Sequence, residues 1–164
     1  MGILIDTCAI HCVFCLDKNK HKEYKPIIKW LLNGSGIMVY GGKKYVAEFK
    51  KAAGTYLDTL AELYKAGKLI RLNDKEVDSI QEKVERLKKH KDFDDPHLIA
   101  IIIASNIKLI CTTEQRAIPF IKCKDLYFNG VRPPKIYNYN DHKKLLIRTS
   151  QIDEKYIDKN KKFL

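Results

Sequence analysis

Short apolar runs alternate with segments of helical periodicity through most of this chain, and that alternation constrains its fold more than any other feature. Four runs have the length and composition of buried strands: residues 2–6, 37–40, 69–72 and 107–111. Between them, apolar side chains recur every three or four residues, as on one face of a helix. Helices that connect successive strands act as crossovers and cover both faces of a parallel sheet. We therefore predict an α/β fold, with three layers α/β/α and a central parallel sheet of four to five strands.

The pattern weakens towards the carboxyl end of the chain. Residues 126–128 are a candidate for a fifth strand at the sheet edge, and Pro133 and Pro134 then interrupt any regular element. At 164 residues the chain suits one domain of ordinary size. We predict a domain over residues 1–135 and a basic carboxyl-terminal extension over residues 136–164.

The composition excludes a membrane span and favours a cytoplasmic protein. The longest apolar run, residues 98–104, has seven residues, against the roughly 18 that a span requires. Asp6 interrupts the amino-terminal apolar run too early for a signal peptide. The five cysteines, an odd number in a chain with no export signal, are expected to be reduced thiols.

A large excess of basic residues predicts a polyanionic partner. The chain has 31 Lys and Arg against 20 Asp and Glu, a formal net charge of +11 and a pI near 9.4. Nucleic acid is the partner that such a charge suits best. A lysine-rich surface also keeps a protein in solution, so basicity supports this interpretation without establishing it.

Four acidic residues stand beside predicted strand ends or helix starts, although they are far apart in the sequence. They are Asp6, Glu48, Asp95 and Glu114. In a parallel sheet the crevice beyond the carboxyl ends of the strands is the usual ligand site, so the fold can bring these acids together. Carboxylates bind Mg²⁺ or Mn²⁺, and such ions promote phosphodiester hydrolysis by activating water. The sequence therefore predicts a metal-dependent nuclease.

Each acid also has an ordinary structural explanation. Asp95 precedes Pro96 and would be a good N-cap of the helix that starts there, and Asp94 is close enough to replace it as the ligand. Glu48 on its own is typical of a solvated position near a helix start. Glu114 on its own is compatible with a turn. The order of the acids along the chain is what favours a shared site.

At these positions the chain resembles the PIN-domain nucleases, over about residues 1–128. The resemblance rests on Ile3-Leu-Ile-Asp6-Thr7 at the first strand, on Glu48 after the second strand, and on residues 95–100, Asp-Pro-His-Leu-Ile-Ala, at the start of an apolar helix. It also rests on residues 109–114, Leu-Ile-Cys-Thr-Thr-Glu, where the family usually has Thr, any residue and then Asp. The order and spacing of these motifs are together more specific than any one of them.

The resemblance implies a PIN-like fold and Mg²⁺- or Mn²⁺-dependent cleavage of RNA, less often of DNA, by an endoribonuclease. Asp6, Glu48 and Asp95 would be metal ligands. Glu114 would take the place of the fourth acid, and Thr112 would order the cluster through a hydrogen bond. Attack of an activated water on phosphorus would leave a 5′-phosphate and a 3′-hydroxyl. Many members are toxins, so the implied protein partners are an antitoxin or a defence protein, and a homodimer is a further option.

Several residues near these motifs need separate interpretation. Glu114 is one methylene longer than the usual Asp, which would change how a metal is held. Cys8 stands where many members have Asn or Ser, a difference of less consequence. Lys43 and Lys44 are candidate contacts to a nucleic-acid backbone. His97, in the first turn of the apolar helix, is interpreted as structural.

Two other functions fit the sequence. Cys8, Cys12 and Cys15 have the Cys-x3-Cys-x2-Cys spacing of radical S-adenosylmethionine enzymes and would hold an iron–sulfur cluster. The same spacing places them on one helical face, where free cysteines pack as small apolar side chains. The other alternative is a PIN-like module that binds RNA without cutting it. Converging acids disfavour a surface that only binds nucleic acid.

Overall fold

The structure is a computed structural model, and it describes residues 2–15 and 21–147. Within these residues there are five strands, Gly2–Ile5 (β1), Ile37–Tyr40 (β2), Leu69–Arg71 (β3), Leu109–Cys111 (β4) and Lys135–Tyr137 (β5). The α-helices are Thr7–Phe14 (α1), His21–Asn33 (α2), Lys43–Ala53 (α3), Leu57–Lys65 (α4), Asp74–Leu87 (α5), Pro96–Ser105 (α6) and Ile118–Ile121 (α7). Short 3₁₀ helices cover Gly54–Tyr56, Lys124–Leu126 and Asn140–Ile147.

The five strands form one parallel sheet in the order β3-β2-β1-β4-β5. β1 pairs with β2 on one side and with β4 on the other, and Ile5 lies opposite Cys111 at the carboxyl ends of β1 and β4. Helices flank the sheet, so the predicted α/β fold with a central parallel sheet is confirmed. The direction of winding reverses between β1 and β4, and this switch point leaves a crevice between the loops that follow the two strands.

β1 and α6 are two of the elements that are buried along their whole length. All four residues of β1 and all ten residues of α6 are buried, which explains why both are apolar nearly throughout. α6 packs against β1, β2, α3 and α5, and it starts at Pro96, where a proline removes no helical hydrogen bond. Asn106 ends it in the left-handed conformation, with a φ of 52°. Among the residues that the structure describes, no helix is long and apolar enough to cross a membrane.

The fifth strand lies further along the chain than the sequence predicted. Residues 126–128 do not form a strand, because Lys124–Leu126 is a 3₁₀ helix whose Leu126 packs into the core. β5 instead follows two prolines and pairs in parallel with β4. The boundary predicted after residue 135 falls inside this strand, so residues 136 and 137 belong to the sheet. The predicted extension from residue 148 onwards lies outside the described residues.

A glycine between β2 and α3 sets the position of α3. Gly42 has a φ of 79°, which favours glycine, and a side chain there would place its Cβ 2.7 Å from Val77. The Gly42 amide donates to Asp74 Oδ1 at 3.1 Å, and the Lys43 amide donates to Asp78 Oδ1 at 2.9 Å. α5 therefore holds the amino end of α3, and with it the side chains that α3 directs towards β1.

Candidate active site

Asp6 and Thr112 follow β1 and β4 and meet at the switch point. Asp6 is buried, with 5% of the residue exposed, and its Oδ2 accepts a hydrogen bond of 2.6 Å from Thr112 Oγ1. Its Oδ1 lies 3.5 Å from the Cys8 amide, at the N-cap position of α1. Thr112 Oγ1 in turn accepts the Glu114 amide at 3.0 Å. Thr112 therefore fixes the direction of one oxygen of the Asp6 carboxylate.

Glu48 reaches the same crevice from α3. The buried Tyr45 hydroxyl donates to the Ile5 carbonyl and ties the first turn of α3 to the end of β1. Glu48 lies about one turn further along that helix, and its Oε2 accepts a hydrogen bond of 3.2 Å from Thr7 Oγ1. The side chain of Glu48 remains 36% exposed. Glu48 is thus held at the carboxyl end of β1 while it stays open to solvent.

Asp95 completes a group of three acids, here named the carboxylate cluster: Asp6, Glu48 and Asp95. Burial first, and then the charges of Asp6, Glu48 and Asp94, raise the pKa of Asp95 from 3.8 to about 6, while nearby Lys44 opposes the shift. Asp95 occupies the N-cap position of α6, as its place before a proline predicted, but its side chain makes no capping hydrogen bond. Its carboxyl group is therefore left to interact with the other acids.

His97, interpreted from the sequence as structural, lies against the carboxylate cluster. It is 1% exposed, and neither ring nitrogen has a hydrogen-bond partner among the described residues. Its Nε2 is 3.5 Å from Glu48 Oε2, a contact that is an ion pair only if the imidazole is protonated. Burial, and then the charge of Lys44, lower the pKa of His97 to about 3, so a neutral imidazole faces the carboxylate. In the sequence, only its position two residues after Asp95 indicated that His97 lies beside the carboxylate cluster.

Glu114, the predicted fourth acid, pairs with a neighbour in sequence instead of joining the other three. Its Oε1 accepts hydrogen bonds of 3.2 Å from both the backbone amide and the Nε of Arg116, and these bonds lower the pKa of Glu114. Both side chains reach the surface. The main charges that shift the pKa of Asp95 do not include Glu114. The structure thus brings together three of the four predicted acids and leaves the fourth at the rim of the crevice.

The two lysines predicted to contact nucleic acid have different surroundings. Lys44 Nζ donates to the carbonyl of Asp94, and its charge opposes the rise in the pKa of Asp95. Lys43 has a largely exposed side chain whose Nζ lies 3.6 Å from the carboxylate of Asp78 in α5. Lys44 is therefore a cation of the crevice, whereas Lys43 belongs to the contact between α3 and α5.

The carboxylate cluster offers the donor atoms that a divalent cation needs. Mg²⁺ and Mn²⁺ prefer oxygen ligands, and a positive ion relieves the repulsion among neighbouring acids. The His97 imidazole, whose nitrogens have no hydrogen-bond partner among the described residues, adds a neutral nitrogen ligand next to Glu48. As the side chains stand, no group of three or more His, Cys, Asp or Glu within residues 2–15 and 21–147 is placed to hold a metal ion. The carboxylates would therefore have to close around a cation when it binds.

The cysteines of α1 do not form a compact group of thiols. Cys8 and Cys15 are seven residues apart along a helix that runs to Phe14, so roughly 10 Å of axial rise separates them. That separation does not suit a single iron–sulfur cluster, and no three thiols within the described residues are placed to hold a metal ion. Cys8 Sγ lies 3.2 Å from Thr113 Oγ1, and burial and the charge of Asp6 raise its pKa. Cys8 is therefore a neutral thiol at the edge of the crevice.

Comparisons of the chain with protein-family models, with curated proteins and with solved structures find no significant match. The interpretation of the crevice therefore rests on its own residues and geometry. The resemblance of its motifs to those of the PIN domain adds to that interpretation and stays a prediction.

Proposed function

We propose that this protein is a metal-dependent nuclease that hydrolyses phosphodiester bonds in RNA. One observation carries the proposal: hydrogen bonds hold Asp6 and Glu48 at the carboxyl end of β1, and Asp95 lies near enough that their charges add to the effect of burial in raising its pKa. The chain around them has a net charge of +11. A surface that only bound a polyanion would have no reason to gather carboxylates at its ligand crevice.

The residues of the crevice divide into ligands and supports. Asp6, Glu48 and Asp95 would supply carboxylate oxygens to Mg²⁺ or Mn²⁺. Thr112 and Thr7 hold the first two acids through hydrogen bonds of 2.6 and 3.2 Å, and such bonds orient a ligand before any ion binds. When bound, the cation would neutralise charge on the scissile phosphate and activate the attacking water.

Lys44 and the overall positive charge of the chain would guide the substrate into the crevice. The Lys44 ammonium lies close enough to Asp95 to influence its pKa, and an ammonium group is a good donor to a phosphate oxygen. The choice of RNA over DNA rests on the PIN-domain resemblance of the motifs. The same resemblance supports a protein partner, an antitoxin or a defence protein, that would block the crevice.

Cleavage assays test this function directly. Wild-type protein is incubated with labelled single-stranded RNA, structured RNA and single-stranded DNA, each with Mg²⁺, Mn²⁺ or EDTA. We expect cleavage of RNA that requires metal, that leaves 5′-phosphate ends, and that Asp6→Asn lowers by at least about 100-fold. Glu62→Gln, which changes an exposed acid of α4 paired with Lys65, is the matched control and should cleave like wild type.

Two outcomes would contradict the nuclease function. Cleavage that persists in EDTA, or in Asp6→Asn at the wild-type rate, would show that the carboxylate cluster does not perform the reaction. Binding of RNA without cleavage of any substrate, with either metal, would indicate a module that binds nucleic acid and does not cut it.

A further inference from the structure

A cavity lies at the amino edge of the sheet, at the opposite end of β4 from Thr112 and the carboxylate cluster. Lys108 directly precedes β4 and Lys135 begins β5, so the cavity lies where these two paired strands start. Its volume is about 500 Å³, and pockets for small molecules in proteins have roughly 300 to 1,000 Å³. The wall contains three apolar residues, one glycine and three cations: Leu109, Pro133, Leu145, Gly130, Lys108, Arg132 and Lys135.

The three cations, here named the cation pocket, are Lys108, Arg132 and Lys135, and their charges are not balanced by acids. Among the described residues, none of the three forms an ion pair with an acidic side chain, and no acid contributes to the cavity wall. Lys108 Nζ donates to the amide oxygen of Asn106, the residue that ends α6. This neutral partner orients the ammonium group but leaves its charge in place.

Like charges gathered in one cavity cost stability unless an anion joins them. Lys108 is partly buried, and burial, and then the charge of Arg132, lower its pKa. The folded protein therefore holds the Lys108 proton less tightly than the unfolded chain does. Such unfavourable arrangements of charge are most frequent at binding sites. An anion between Lys108 and Arg132 would remove the repulsion, and guanidinium and ammonium groups both bind phosphate oxygens well.

We propose that the cation pocket binds a small organic phosphate of about the size of a nucleoside diphosphate. Its phosphate groups would face the three cations, and its organic part would lie against Leu109, Pro133 and Leu145. A bare phosphate ion would fill little of the cavity and would leave this apolar wall uncovered. The site goes beyond the proposed nuclease function and does not depend on it, because the cation pocket and the carboxylate cluster lie at opposite ends of β4.

Calorimetric titration of the full chain with matched probes tests the pocket. ADP is compared with adenosine, which lacks the phosphates, and with inorganic pyrophosphate, which lacks the organic part. EDTA is present throughout, so that no metal ion joins a phosphate to the carboxylate cluster. We expect ADP to bind at one site per chain, and the two partial probes to bind at least about tenfold more weakly. Binding of ADP should also weaken as the salt concentration rises.

Variants of the cations separate the pocket from a general effect of positive charge. Arg132→Gln and Lys108→Met should each weaken ADP binding at least about tenfold, whereas Arg132→Lys keeps the charge and should lose less. Arg86→Gln is the matched control, because this exposed arginine of α5 does not line the cavity. Arg132→Gln removes a repulsive charge, so without ADP it should melt at or above the wild-type temperature, as circular dichroism would show. Asp6→Asn should bind ADP like wild type.

Three results would overturn the cation pocket. They are the absence of saturable binding of ADP, GDP and UDP to folded wild type, equal binding of ADP by wild type and folded Arg132→Gln, and displacement of ADP by a short RNA with 5′-hydroxyl ends. The last result would assign these cations to a nucleic-acid backbone. None of the three bears on the metal-dependent cleavage assays. Binding of ADP that depends on Arg132, in a protein that cuts no substrate, would support the pocket and contradict the nuclease function.

Discussion

Asp74 and the carboxylate cluster both lie at the carboxyl edge of the same sheet, yet their surroundings differ. Asp74, after β3, is buried and has its charge matched, because Arg71 Nη2 lies 3.1 Å from its Oδ2 and the Gly42 amide donates to its Oδ1 at 3.1 Å. The carboxylate cluster after β1 instead brings like charges together. Burial and the neighbouring carboxylates raise the pKa of Asp95 to about 6.

The difference separates an acid that stabilises the fold from acids kept for a function. A buried carboxylate with a guanidinium and an amide as partners is compatible with a stable fold. Carboxylates that repel one another cost stability, and such arrangements are most frequent at binding and catalytic sites. His97 follows the same logic, because both of its buried nitrogens lack partners within the described part of the chain, whereas buried polar groups with purely structural roles are usually paired.

Loss of the Arg71 guanidinium that pairs with Asp74 should give the largest change in stability. Arg71→Met removes the guanidinium from Asp74, and both side chains are nearly buried, with 12% and 8% exposed. We expect the free energy of unfolding to fall by about 3 kcal/mol, since an uncompensated charge is left in the interior. Urea denaturation measures this change. Arg86→Met is the control, because Arg86 forms an exposed pair with Glu82 and should cost at most about 0.5 kcal/mol. Equal costs for the two variants would contradict the comparison.

Loss of a support in the carboxylate cluster should affect activity more than stability. Thr112→Val keeps the shape of the side chain but removes the donor to Asp6 and the acceptor of the Glu114 amide. We expect metal affinity or cleavage to fall by roughly 10- to 100-fold, and stability to fall by about 1 to 2 kcal/mol. Thr113→Val on the same loop is the control, since Thr113 contacts Cys8 and not the cluster. Cleavage by Thr112→Val at the wild-type rate would show that Thr112 does not orient Asp6 for the reaction.

Neutralising the most perturbed acid should stabilise the fold at neutral pH. The folded pKa of Asp95, about 6, lies above its ordinary value of 3.8, so the folded protein holds this proton more tightly than the unfolded chain. The stability that Asp95 contributes is therefore present below pH 4 and is lost as the pH rises through about 6. Asp95→Asn removes this unfavourable charge and should raise the unfolding free energy at neutral pH. We expect a gain of only about 1 kcal/mol, because solvent screens this half-buried group.

Denaturation of wild type and Asp95→Asn across this pH range checks the sign of the effect. The gain from Asp95→Asn should shrink as the pH falls from 7 towards 4, where the wild-type carboxyl group is protonated. The same variant should lose cleavage. A variant that is less stable than wild type at neutral pH would show that Asp95 is a structural cap after all.

Glu114→Gln should have the smallest effect. Glu114 is engaged with Arg116 at the rim of the crevice, so we expect its replacement to change the cleavage rate by less than about threefold, as is usual for a surface substitution. Steady-state cleavage rates of wild type and Glu114→Gln measure this. A loss comparable to that of Asp6→Asn would place Glu114 in the cluster when substrate binds and would extend the group of three acids to four.

Much of the fold could be predicted because its central elements are strongly apolar. β1, β4 and α6 are buried on all sides, and such elements are apolar at nearly every position, which makes them easy to recognise in a sequence. β5 could not be found, because Lys135–Tyr137 directly follows two prolines and begins with a lysine, a context that indicates an interruption and not a buried strand. Its place in the sheet depends on pairing with β4, a contact that no local pattern reports.

The candidate site could be predicted in its positions but not in the directions of its side chains. Adjacent residues on a helix point about 100° apart, so Lys44 reaches Asp94 while Lys43 reaches Asp78. Tertiary packing decides which of the two lysines reaches the crevice, and no feature of the sequence distinguished them. Glu114 was expected in the cluster from its place after β4, and its local hydrogen bonds to the neighbouring arginine compete with that expectation.

Titration of Mn²⁺ into the protein by calorimetry tests the central claim, that Asp6, Glu48 and Asp95 form one cation site. We expect wild type and Glu114→Gln to bind Mn²⁺ with similar affinity, and Asp6→Asn and Asp95→Asn to lose at least about tenfold in affinity. Binding should also reduce the stability gain of Asp95→Asn, because the ion stabilises the protein that retains the carboxylate more than the variant that binds it weakly. Absence of Mn²⁺ binding to folded wild type, or equal binding by all four proteins, would contradict the account.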